Sequence, residues 1–93
     1  MSDQPVTVIV HLRPKPGAEK RILELRPLMD AEFAGTTTLS AQLFKVEDSD
    51  EWRDIVVVAN REAVDKTPQS PYYQEWKSLV DYLKFEIIEP VTS

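Results

Sequence analysis

The chain contains no cysteine. Disulfides, iron–sulfur clusters, thiolate zinc sites and a cysteine nucleophile are thereby excluded. Histidine is nearly absent too, with His11 alone. A metal centre needs several ligands at matched spacing, and no carboxylate pair here stands at such spacing, so no metal is expected. Only two glycines occur, and no G-x-G-x-x-G, Walker or G-x-S-x-G pattern is present. Eleven basic residues against sixteen acidic ones leave a net charge of −5, with Lys and Arg scattered. That argues against a nucleic-acid surface, where phosphate neutralisation supplies most of the affinity. It equally disfavours an anionic membrane. No apolar run approaches the ~20 residues of a membrane span. The opening MSDQPVT has neither the basic segment nor the apolar core of a secretory signal. A cytoplasmic protein is expected.

Ninety-three residues, 1–93, make a single domain. PVTVIVHLR, Pro5 to Arg13, is β-branched and almost continuously apolar, the mark of a central strand. Pro14 and Pro16 end it. Ala18, Ile22, Leu25, Met29 and Phe33 recur at spacings of three and four and predict a helix. Gly35 suits its C-terminus, and Pro27 lies inside the pattern, predicting one helix with a bend. In TTTLSAQLFKVED, Leu39, Ala41 and Leu43 alternate with Ser40, Gln42 and Phe44, a half-exposed strand. EDSDE reads as a solvated turn, since it lacks the glycine and distal glutamate of a calcium loop. WRDIVVVAN is a second buried strand, forming a hairpin with the one before. REAVDK predicts a short helix ending before Pro68. Ser70 then caps a helix whose first residue is Pro71 and which is expected to reach about Lys84, with Tyr72, Trp76, Leu79 and Leu83 on one face. FEIIEPV closes the chain as an edge strand.

The order βαββαβ points to an α+β, ferredoxin-like fold: a four-stranded antiparallel sheet with helices on one face and the first and third strands in the centre. Its other face would be bare and apolar, more than a monomer tolerates. A homodimer with sheets face to face, a dimeric α/β barrel, is the expectation.

VTVIVHLRPKPGAEKRILELRPLM resembles the opening of the antibiotic biosynthesis monooxygenase family of dimeric α/β-barrel proteins. In that family a first strand runs through a Pro-Gly turn into a helix. VVVANREAVDKTPQSPYYQEWKSLVDYL is similar to the family's second half. A third strand there leads to a Glu-Ala pair, here Glu62-Ala63, then to a Ser-Pro-aromatic helix start, here Ser70-Pro71-Tyr72. The resemblance implies a pocket between sheet and helices. It also implies cofactor-free chemistry on a small aromatic molecule, as in members that oxidise polyketides without metal or flavin. Two departures are visible. Val58-Ala59-Asn60 stands where cofactor-free members often carry Trp, and Val64 to Gln69 has no His. The haem-degrading members need an axial His in the second half, so haem degradation is not expected.

The candidate catalytic residues are His11, Asn60 and Tyr72, and the candidate substrate contacts are Trp76, Tyr73 and Arg13. His11 shares a strand face with Thr7, Ile9 and Arg13, opposite Val6, Val8, Val10 and Leu12. It reads as a general base or as a structural histidine at the dimer interface. Asn60 could steady a developing oxyanion or cap the helix that follows. Tyr72 and Trp76 could form an aromatic wall, or be core at helical spacing; Tyr73 lies off that face. Three functions follow: a cofactor-independent monooxygenase acting on a planar phenolic or polyketide-like metabolite, a cyclase or isomerase in the same pocket, or a non-catalytic binding or accessory protein.

Overall fold

A computed structural model describes residues 4–33, 37–64, 70–89 and 91. The elements are β1 (Val6–Pro14), α1 (Glu19–Phe33), β2 (Thr38–Lys45), β3 (Trp52–Val58), α2 (Arg61–Val64), α3 (Pro71–Leu79) and β4 (Val80–Ile88). The antiparallel sheet has the order β2-β3-β1-β4. The two most apolar strands are therefore central, as the ferredoxin-like reading requires.

Local chemistry sets the element ends. Gly17 takes φ +79°, a left-handed conformation that glycine adopts without cost, and turns the chain from β1 into α1. α1 runs unbroken through Pro27. Pro27 and Leu23 both lie on the exposed side, so the carbonyl that loses its donor is on the solvent side of the helix. The Ser70 hydroxyl accepts from Tyr73 N–H at 3.0 Å, and Pro71 occupies the first helical position. Gly35 and the end of the REAVDK segment lie outside the described residues.

The last helix is shorter than its pattern suggests. It ends at Leu79, and the chain enters β4 at Val80 rather than beyond Lys84. Pairing wins over periodicity here: Val80, Tyr82, Phe85 and Ile87 align with Pro14, Leu12, Val10 and Val8 of the central strand. A register shift at His11/Leu12 takes up one residue of β4.

The sheet is two-faced. Val6, Val8, Val10 and Leu12 of β1, with Trp52, Val56 and Val58 of β3, point toward the helices. There Ala18, Ile22, Leu25, Met29, Trp76 and Val80 complete the main core. Thr7, Ile9, His11, Ile55 and Val57 lie on the other, open face. A bulge between Thr38 and Ser40 breaks the alternation of β2, and Leu39 is 57% exposed.

Candidate functional site

A cavity of about 740 Å³ lies between the helices and the sheet. Its size falls in the ~300–1,000 Å³ range of small-molecule sites. The sheet contributes Val8, Val10, Ala41, Asp54, Val56, Val58, Tyr82 and Phe85. The helices contribute Arg26, Met29, Asp30, Phe33, Ala63, Val64, Tyr73 and Trp76, and Thr37 and Thr38 complete the lining. Most of these side chains are apolar.

The polar groups are concentrated. Arg26 occupies a helical position between Ile22 and Met29 and is 9% exposed. Its Nη2 donates to Asp54 Oδ1 at 2.8 Å, and its Nε lies 3.0 Å from Asp30 Oδ1. Burial disfavours the charge on Arg26, but Asp54 and then Asp30 outweigh that and hold the guanidinium above its ordinary pKa. The guanidinium carbon also sits 5.4 Å from the centroid of Trp76. Part of the Trp76 ring face is thus covered by a cation, which narrows its use as a stacking wall. Tyr82 faces the same space. Burial, then its neighbour Tyr73, pushes its phenol well above the usual range.

Of the six residues singled out by sequence, the structure brings two to this cavity, Trp76 and Tyr73. Trp76 is 2% exposed. Tyr73, expected off the buried face, is half-buried and packs against the core, with Lys77 Nζ 5.5 Å from its ring centroid. Tyr72 is on the exposed side of α3 and is not among the described lining residues. Tyr73 is three residues before Trp76, a helical neighbour of it, and packs with it against the same core cluster, while Tyr72 turns outward.

His11 and Arg13 are on the open side of the sheet. His11 Nε2 meets the Glu86 carboxylate on the neighbouring strand, and Arg13 Nε lies 2.9 Å from Asp50. Strand alternation puts both on the side of the sheet away from the cavity. Asn60 spends its side-chain oxygen on Ala63 N–H at 3.0 Å, capping α2, and is absent from the described lining residues. Arg26, Asp54 and Tyr82 were missed. A signal existed for Asp54: it falls at an inward position with Val56 and Val58, where a carboxylate must find a partner. Among the described residues no group of three or more His, Asp or Glu is placed to hold a metal, and no helix is long and apolar enough to cross a membrane.

No family model matches the sequence, and no curated protein does. Solved structures are similar in shape. SnoaB from Streptomyces nogalater, a cofactor-independent oxygenase, superposes with a TM-score of 0.76 at 16% identity, covering 97% of this chain and 96% of that one. A Caulobacter crescentus protein described as an antibiotic biosynthesis monooxygenase gives 0.76 at 12% identity, covering 97% and 92%. Rv0793 from Mycobacterium tuberculosis gives 0.71 at 23% identity, covering 97% and 98%. With its βαββαβ order and its sheet of order β2-β3-β1-β4, the chain has the fold of the antibiotic biosynthesis monooxygenase-like proteins.

Proposed function

We propose that this protein binds a planar, largely apolar aromatic molecule in the cavity between helices and sheet and oxygenates it without a cofactor. The observation that carries this reading is the cavity itself: apolar walls of Val8, Val10, Val56 and Phe85, with Trp76 and Tyr82 among the lining residues. The likeness of fold to a cofactor-independent oxygenase supports it.

The chemistry asks little of the chain. A methylene flanked by phenolic rings loses a proton to a carboxylate on the wall, and the resulting electron-rich anion reduces oxygen. One oxygen atom ends as the substrate's new carbonyl, and the other leaves as water with the two hydrogens lost from that carbon. The protein holds the substrate, excludes bulk water and offers a donor where negative charge develops on the substrate oxygen. Tyr82, whose hydroxyl interacts with Tyr73 and Trp76, is that donor once the substrate oxygen takes the place of Tyr73.

The homodimer belongs to the same reading. Ile9, Ile55, Val57, Phe44 and Ile88 form an apolar field on the open face of the sheet, and a second copy is its natural cover.

The test is oxygen uptake with a panel of anthrones and hydroquinones, metals chelated. Uptake above the uncatalysed rate, lost in Tyr82→Phe, supports oxygenation. Spectral change without uptake would mean cyclisation instead. No effect on any substrate would leave a binding protein.

A further inference from the structure

We infer that the Asp30–Arg26–Asp54 triad makes the cavity selective for uncharged ligands that carry a hydrogen-bond donor, and makes it refuse carboxylates. The inference rests on the cavity being a site for planar aromatic molecules and adds which of them enter.

Among the described lining residues, charge is confined to Arg26, Asp30 and Asp54. One cation meets two carboxylates, so the triad carries a net charge of −1. Arg26 is not a free anion receptor: its Nη2 is given to Asp54 at 2.8 Å, its Nε faces Asp30 at 3.0 Å, and Trp76 stacks with it. Three of the five guanidinium N–H groups remain, but an incoming carboxylate would add a second negative charge to a triad already at −1, among apolar walls.

The acceptors are in surplus. A carboxylate offers about four acceptor positions, and the Arg26 bond to Asp54 takes one, on Oδ1. The Asp30 side chain is 43% exposed and open to solvent, whereas the Asp54 side chain is only 15% exposed. Asp54 is therefore the acceptor that a ligand hydroxyl satisfies, fixing the ligand's polar end against β3 while its rings lie along Val10 and Val56.

The test uses three ligands of one shape: β-naphthol, its methyl ether and β-naphthoate. Calorimetry on the intact protein at neutral pH reads affinity, and the NMR shift of the Trp76 indole N–H confirms the site. β-Naphthol should bind about tenfold or more tightly than either other ligand, the scale of one hydrogen bond to a charged acceptor. Asp54→Asn should bring β-naphthol and β-naphthoate within about threefold of each other. Asp30→Asn, an exposed change that leaves the core intact, should strengthen β-naphthoate alone. Equal affinities in the unmodified protein, each moving the indole signal, would overturn the selectivity and leave the cavity reading standing. If none of the three moves that signal, the cavity reading falls and the selectivity with it.

Discussion

At the residue scale the centre of the molecule is a charge that had to be neutralised. Arg26 is one of the buried side chains of α1, held in place by Asp54 from a different layer of the fold. A buried pair need not add net stability, but breaking it on one side leaves an ion in an apolar setting. Asp54→Ala is therefore expected to destabilise the fold by about 3–5 kcal/mol, whereas the double variant Asp54→Ala/Arg26→Met should recover most of that loss. Urea unfolding of the four members of the cycle measures both. An additive double variant would show that the two side chains do not sense each other. The same pair shows what the sequence conceals. Arg26 stands four residues after Ile22 and three before Met29, on the buried stripe, yet an arginine beside a proline reads as solvent-facing until its partner is known. His11 is the converse. Alternation along β1 correctly puts it with Thr7, Ile9 and Arg13, but which face holds the cavity depends on where the helices pack.

At the element scale the two long helices are joined by a clamp. Arg21 of α1 donates through Nε and Nη2 to Glu75 of α3 at 2.5 and 2.8 Å, a bidentate pair on the outer surface. The hydrogen bond from Arg21 lowers the Glu75 carboxyl below its usual range. The hydrogen bond with His11, then Lys84, does the same for Glu86 on β4. A carboxyl that ionises more readily in the folded state stabilises fully above its unfolded pKa and loses that contribution as pH falls through its folded value. Melting temperature should thus fall on acidification below roughly pH 4, the ordinary carboxylate range. Arg21→Gln should melt lower than the parent at neutral pH and converge with it in acid, because the clamp is already gone there. A gap between them that persists unchanged in acid would assign the effect to packing. The clamp crosses two helices whose existence is legible in the sequence. The boundary of the second is not: Leu79 and Leu83 continue the helical spacing from Trp76, while Val80 and Tyr82 begin a strand, and only the presence of β1 alongside decides between them.

At the scale of the whole molecule, the sheet divides two tasks. The helix side encloses the cavity, and the open side carries Ile9 paired in register with Ile55, half-buried, and flanked by Phe44 and Ile88, which are 44% and 49% exposed. The arginines on this face are met by carboxylates of the same chain: Arg53 by Glu51, Arg13 by Asp50. A copy of the same face can therefore approach without a net clash of charge, and burial of the apolar field supplies the drive. Sedimentation should give twice the 10.7 kDa chain mass. Ile55→Lys, which puts a charge into this apolar field, should give the single-chain mass with an unchanged far-ultraviolet circular dichroism spectrum. Because neighbouring residues of a strand point to opposite faces, Ile55 belongs to the outer surface while Asp54 and Val56 face the cavity. The monomeric variant should therefore bind β-naphthol within about threefold of the parent, a difference of well under 1 kcal/mol. Loss of binding together with loss of the dimer would mean that the second copy shapes the cavity, and that one sheet does not keep the two surfaces independent.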